Sequence, residues 1–420
     1  MTSHEDVKTV PDVRAIPDAD LDRALDLTYL AFHLKPGDKT RRHHYALLRD
    51  CARIGAYDGG RIVGVAGAHR LTLSVPGGQL PCSGVDFVSV APTHRRRGVL
   101  SAMMDELWRR CADEARPLAC LWASESAIYG RFGFGAATDT YRVEVDSSRP
   151  LALRVDPDRR PLRLIEPEDA PAVLAPRYDA TLAQRAGRFA RDEDWWRTEV
   201  LDLDGARSDE DLDGFGALRV VVLGAPGEEP GGYALYRTRG PGHDRPGVVS
   251  VAELEAESGP AAAALWSYLA SIDLTTTVRV PALAADDPLL SLVADRDQVR
   301  VTGQEPCLWV RLVDVRAALT ARSWAAPVDL VIELADAVLP GNAGRFRLTA
   351  GPGRETRWVA TDGRPDIGLD VRELAACYLG GGPLRRFVHA GLVSEHTPGA
   401  VRQLDAAWET EWLPFTGENY

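Results

Sequence analysis

Val88-Ser89-Val90-Ala91-Pro92-Thr93-His94-Arg95-Arg96-Arg97-Gly98-Val99-Leu100-Ser101 is the stretch on which the fold turns. An apolar strand, VDFVSVAP at 85–92, runs into a basic turn with a glycine. From Gly98 to Ala115 apolar residues then recur at helical spacing through Leu100, Met103, Met104, Leu107, Trp108 and Cys111. A strand, turn and helix in this order aim several free amide N–H groups and the positive end of the helix at one place, so the turn reads as an anion site. Three adjacent guanidiniums suit a diphosphate, because their planar forks match its oxygens. A solvated basic turn is the plainer reading of Arg95-Arg96-Arg97-Gly98 alone, and the flanking strand and helix argue against it.

Working outward, the pattern before this stretch is an amphipathic helix, Leu21 to Phe32, followed by alternating strands. Tyr57-Asp58-Gly59-Gly60-Arg61 marks one hairpin turn and SVPGGQL a second. After the helix come a buried strand, PLACLWAS, and a proline-bearing linker at 146–163. The theme then repeats more weakly: RVVVL (219–223) and 231–240 read as a strand pair, 248–256 as a strand and 259–273 as a helix. From CLWVRLVDV onward strands and helices mix again. The order predicts an α+β protein in three parts, 1–150, 151–300 and 301–420.

Composition excludes several classes. A chain of 420 residues exceeds one ordinary core of about 150 residues. A net charge of −12 opposes binding to nucleic-acid backbones and mildly favours cationic ligands. The longest uncharged windows, 71–85 and 258–272, fall short of the roughly 20 apolar residues a bilayer needs. Met1 to Pro17 lacks the apolar stretch of a signal peptide, so no membrane association and a cytoplasmic location are expected. The six cysteines are scattered without metal-ligand spacing, which predicts buried free thiols and no metal.

The arginine turn resembles the pyrophosphate loop of the GNAT superfamily of acetyl-CoA-dependent N-acetyltransferases, whose consensus is Gln/Arg-x-x-Gly-x-Gly/Ala. Arg95-Arg96-Arg97-Gly98 matches, and Leu100 replaces the final small residue. Together with ASESAIYGRFGFGAAT at 123–138, the sequence is similar to the Eis (enhanced intracellular survival) acetyltransferases of actinobacteria. The resemblance covers the whole chain and implies two tandem GNAT-like domains, the second degenerate, followed by a sterol-carrier-protein-like domain. It also implies a homohexamer, a trimer of dimers.

The resemblance further implies how acetyl-CoA is held. Backbone groups of Val88, Ser89 and Val90 take the pantetheine arm. Arg96, Arg97, Gly98, Val99, Leu100 and Ser101 wrap the diphosphate, and Ser124 and Glu125 contact the thioester end. Thioester aminolysis needs a neutral amine and benefits from an acid near the departing thiolate. Tyr129, in Ile128-Tyr129-Gly130-Arg131-Phe132-Gly133-Phe134-Gly135, suits that acid role, since a phenol with an ordinary pKa near 10 can protonate a thiolate of similar basicity. The base implied is the terminal carboxylate of Tyr420, delivered by the tail WLPFTGENY. Asp26, Phe32, Phe87, Trp122 and Glu418 are candidate pocket walls, chosen as aromatic faces and acids able to hold a polycationic amine.

In the middle region the corresponding turn, Glu255-Ala256-Glu257-Ser258-Gly259-Pro260-Ala261, carries two acids and no arginine and would repel a diphosphate. That region is expected to be structural. The function expected is transfer of acetyl to primary amines of cationic small molecules such as aminoglycosides, polyamines or Lys side chains. Competing readings are a lipid or sterol carrier, suggested by the third region, and a CoA-binding sensor in which Tyr129 is idle.

Overall fold

The structure, a computed structural model, describes residues 12–206, 214–243 and 245–418. Six strands come from the start of the chain: β1 (Asp12–Arg14), β2 (Ile54–Asp58), β3 (Arg61–Val75), β4 (Gly78–Val90), β5 (Leu118–Trp122) and β6 (Gly135–Ala136). The next seven, β7 (Asp139–Asp146), β8 (Leu162–Ile165), β9 (Arg219–Leu223), β10 (Gly232–Arg239), β11 (Val248–Ala256), β12 (Thr277–Leu283) and β13 (Val299–Pro306), form a sheet of their own in the order β13-β7-β12-β11-β10-β9-β8. β14 (Leu308–Leu312) then returns to the first sheet, whose order is β1-β2-β3-β4-β5-β14-β6. A third sheet, β17-β16-β15-β18-β19, is built from β15 (Val328–Ala335), β16 (Gly344–Ala350), β17 (Arg357–Ala360), β18 (Ile367–Asp370) and β19 (Ser394–Glu395).

Sheet membership therefore crosses chain order in two places. Residues 139–146 precede position 150 yet lie in the second sheet, and residues 308–312 follow position 300 yet lie in the first. The first two sheets share one plan, in which a strand from the other half is inserted beside the last of five neighbours, four paired antiparallel and the fifth parallel. β14 pairs with β5 from Leu308 opposite Trp122 to Leu312 opposite Leu118, and β7 pairs with β12 in the matching place.

Local patterns explain the elements. β3 and β4 bury both faces: Ala66 and Ala68 face Met103, Met104, Leu107 and Trp108 of helix Val99–Asp113, while Val65 and Phe87 face Leu21, Ala24 and Leu25 of helix Leu21–Phe32. The alternation of strand side chains assigns the two helices to opposite sides. All six cysteines are buried free thiols. Inside the third domain, Trp324 and Trp408 stack at 6.3 Å, and the buried Arg322 guanidinium donates to the carbonyls of Tyr378 and Trp408. Among the described residues no helix is long and apolar enough to cross a membrane, and no His, Cys, Asp and Glu cluster could hold a metal ion.

Candidate active site

β4 and β5 are parallel but hydrogen-bonded over only three rungs, Cys82 with Leu118, Ser83 with Ala119 and Gly84 with Cys120. Beyond Gly84 they diverge. A bulge opposite Ala66 sets Phe87 at φ 55° and turns β4 away from its neighbour. Val88, Ser89 and Val90 therefore lie on the free arm, with their β5-facing side outside any ladder. Ser89 turns its hydroxyl to Thr28 at 3.2 Å, so it is the Ser89 backbone that faces the slot. A splayed parallel pair is a socket for an extended, amide-bearing chain.

The slot opens onto the arginine turn. Arg96 and Gly98 both sit at positive φ, 62° and 83°, and Gly98 directly precedes helix Val99–Asp113 without any side-chain cap. The first helical bond runs from Ala102 N to Gly98 O, which leaves the Val99, Leu100 and Ser101 amides outside the helical ladder. Arg95, Arg96 and Arg97 are exposed, and among the described residues none has an ion pair. Three uncompensated cations and three free amides converge where a diphosphate would sit.

Ser124 and Glu125 follow β5 as an exposed bend, and Glu125 precedes the short helix Ser126–Tyr129. Tyr129 is 6% exposed, in edge contact with Phe134 at 6.0 Å. Burial first, then the charges of Asp86 and Glu125, push its phenol up to about 12. It stays protonated across the working pH range of any ordinary enzyme. The glycine-rich turn behind it is dictated by two guanidiniums: a Cβ on Gly130 would meet that of Arg372 at 2.7 Å, and one on Gly133, which has φ 82°, would meet that of Arg311 at 2.8 Å. Arg311 is itself fixed by Asp336 at 2.6 Å, so β14 and the third domain set the position of Tyr129.

Sequence comparison matches residues 12–137 and 187–322 to acetyltransferase (GNAT) domain families and 315–416 to the sterol carrier protein domain. The chain is 40% identical to an uncharacterized N-acetyltransferase of Streptomyces avermitilis over 96% of its own length and 98% of that protein. It is 35% identical to the N-acetyltransferase Eis of Mycobacterium tuberculosis, covering 86% of each. The crystal structure of Eis1 from Mycobacterium abscessus superposes with a TM-score of 0.83 at 33% identity, over 98% of this chain and 100% of that one. The chain belongs to the Eis family of GNAT N-acetyltransferases. Its architecture is two GNAT domains and a sterol-carrier-like domain, in an α+β fold.

On the acceptor side of the slot this Eis-family chain assembles groups that the sequence did not single out. Phe87 stands between His44 and His69, each 6.3 Å away between ring centres. His69 Nε2 lies 3.6 Å from Asp86, and His44 Nδ1 lies 3.1 Å from the Tyr29 hydroxyl. His43 Nε2 reaches Glu199 of the second domain at 3.4 Å. The Glu199 hydrogen bond holds the His43 imidazolium above its ordinary range despite burial. Glu199 in turn lies below the usual carboxylate range: burial would raise it, and His43 outweighs that. Three imidazoles and two carboxylates thus meet where the two GNAT domains face each other.

The other expected pocket residues land in different places. Asp26 lies on the solvent side of helix Leu21–Phe32, held by Arg41 at 2.8 Å, and Phe32 at the helix end is 40% exposed. Trp122 ends β5, half-buried, its indole packed toward the third domain's core. Glu418 is bound by Arg191 and by the Tyr178 hydroxyl at 2.8 Å, so its carboxylate is engaged within the second domain. Tyr420 lies outside the described residues. Of the missed groups, Asp86 had the best available signal, standing two residues before the Val88-Ser89-Val90 arm. Glu199 had none, because it comes from a π-helical turn, Trp196–Val200, far along the chain.

Proposed function

We propose that this Eis-family N-acetyltransferase transfers the acetyl group of acetyl-CoA to a primary amine of a cationic small molecule (aminoglycoside-like, polyamine or Lys) in the slot of its first domain. The observation that carries this reading is the arginine turn, with three uncompensated guanidiniums and three free amides at the open end of the β4–β5 slot beside buried Tyr129. The residues fit acetyl-CoA: Val88, Ser89 and Val90 offer backbone groups to the pantetheine, Arg96 to Ser101 take the diphosphate, and Ser124 and Glu125 border the thioester end. Tyr129 supplies the acid. With its phenol pushed up to about 12, it is a weaker acid than an ordinary tyrosine, so it acts chiefly as a hydrogen-bond donor to the developing thiolate. The terminal carboxylate of Tyr420 takes the proton from the attacking amine. Asp86 favours a cationic acceptor.

Catalysis belongs to the first domain, 1–150. The homohexamer is supported by the family resemblance alone, and sedimentation velocity measures it; the cytoplasmic setting rests on the composition of the N-terminal stretch. A pure lipid carrier is disfavoured by the third domain's interior, which Trp324, Trp408, Tyr378 and Arg322 occupy. Tyr129→Phe tests the reading against a non-catalytic sensor. With a panel of amines and detection of released CoA thiol, the variant should lose about 10²-fold in kcat while acetyl-CoA affinity holds, the lower end for a general acid. Near-parental turnover, with chemistry limiting the rate, would remove Tyr129 from the reaction.

A further inference from the structure

The second domain repeats the slot. β11 and β12 are parallel and hydrogen-bonded over three rungs, Val248 with Thr277, Val249 with Val278 and Ser250 with Arg279, and pair no further. A cavity of about 300 Å³ lies between their arms and the helix Gly259–Ala270, a size found among small-ligand sites. Its apolar wall is Val251 of β11, Val280 and Leu283 of β12, Trp266 of the helix, and Phe415. Trp266 is 1% exposed, and its indole N–H finds no acceptor among the described residues.

Five carboxylates border this cavity, those of Glu253, Glu255, Glu257, Asp287 and Glu418. Four of them have arginine partners. Glu253 and Glu418 share Arg191, Glu255 pairs with Arg188, and Glu257 takes Arg160 and Arg177. Asp287 is the exception. Its Oδ1 accepts from Leu289 N at 2.8 Å, while the neighbouring Arg185 is committed to Asp286 and to Leu413 O, both at 2.7 Å. Among the described residues Asp287 has no ion pair. Burial pushes its carboxyl up to about 6, with Glu255 and Asp286 adding to the push and the Leu289 amide and Arg185 opposing it. A carboxylate kept from water without a counter-ion is a standing demand for a cation.

The surroundings specify which cation. Among the described residues no group of His, Cys, Asp and Glu could hold a metal ion, and the apolar wall suits the body of an organic one. Aromatic rings at Trp266 and Phe415 add attraction for a positive head. Arg185, Arg188 and Arg191 border the same space and repel a second positive charge. A diphosphate meets Glu255, Glu257 and a helix end already capped by Ser258.

We propose that the second domain's slot is a binding site for a small organic monocation, with an ammonium head on Asp287 and an apolar body against Trp266, Leu283 and Phe415. The site goes beyond the acetyl-transfer reading and does not depend on it.

Calorimetry on the full chain with benzyltrimethylammonium tests it, because this probe has no N–H to acetylate. One probe should bind per chain. Asp287→Asn keeps an acceptor for Leu289 N and removes the charge, so affinity should fall about 10- to 10²-fold, the usual loss for a charged partner. Asp86→Asn, in the first slot, should hold the probe within about twofold. Two further arms need no variant. Benzyl alcohol, a neutral relative of the probe, should bind the parent chain more weakly by about tenfold or more. Lowering the pH from about 8 to about 5 should weaken the probe about tenfold, as Asp287 takes up a proton, and should leave Asp287→Asn unchanged. Undetectable binding to the parent chain overturns the site, and so does equal affinity in Asp287→Asn. A loss in Asp86→Asn without one in Asp287→Asn puts the probe in the first slot and overturns it likewise. Benzyl alcohol binding as tightly as the ammonium, or a parent affinity indifferent to pH, refutes the role of the Asp287 charge and with it the proposal.

Discussion

The two slots of this molecule share a backbone and differ in what they accept. Each opens after three parallel rungs and each is followed by a helix. In the first, the helix begins at an uncapped glycine held at positive φ beside three free arginines. In the second, Ser258 caps the helix by accepting from Ala261 N, Pro260 offers no amide hydrogen at all, and Glu255 and Glu257 occupy the turn. A few residues at one helix end thus separate a basic turn with open amides from an acidic, capped one. The shared geometry supplies only the opening.

The largest expected break in the comparison comes from Arg96→Ala with Arg97→Ala. Charge-assisted bonds contribute about 1.5–3 kcal/mol each, so the double variant should lose about 10²- to 10⁴-fold in acetyl-CoA affinity by calorimetry, from a parental stoichiometry of one per chain. Undiminished affinity, or two sites per chain, would erase the distinction between the slots. Arg188→Met attacks the other slot. Arg188 and Glu255 are a buried pair, their side chains 8% and 12% exposed, and breaking such a pair costs about 3–5 kcal/mol. Denaturant unfolding should register that loss while the folded fraction keeps its acetyl-CoA affinity. The reverse outcome, lost affinity at full stability, would make the second slot a cofactor site after all.

The smallest effect sharpens the contact between the domains. His43 is raised by Glu199, so the pair's stabilisation is fully present below the ordinary imidazole value near 6.5 and disappears as pH climbs through the folded value. His43→Gln should therefore destabilise at pH 6 by about 1 kcal/mol, the upper end for a partly exposed pair, and hardly at pH 8.5. Equal deficits at both pH values would mean that packing, and not the ion pair, joins the domains there.

Features written in consecutive residues were legible. The strand at 85–92, the arginine turn and the amphipathic helix appear where their spacing puts them, and the acidic turn at 255–261 already marked the second domain as degenerate. The acceptor cluster was not legible, because His43, His69, Asp86 and Glu199 come from four elements of two domains and share no motif. The pocket acids selected by type alone, Asp26 and Glu418, already have arginine partners, and a sequence does not reveal which charges are spoken for. Nor does any local signal report that β7 and β14 change places, since each reads as an ordinary apolar strand.

That exchange has a consequence for how the chain is made. β5 meets β14, and β12 meets β7, only after the intervening segments have been synthesised, so two central seams of the molecule close between distant parts of the chain. Contacts of this span fold slowly and close long loops before they are rewarded. A fragment ending near residue 150 would keep the arginine turn and Tyr129 yet present the whole flank of β5 as an open edge, the kind that recruits other chains into aggregates. Neither GNAT unit is a separable module: unfolding should be one cooperative event across both, and a minimal catalytic fragment must carry residues through Leu312.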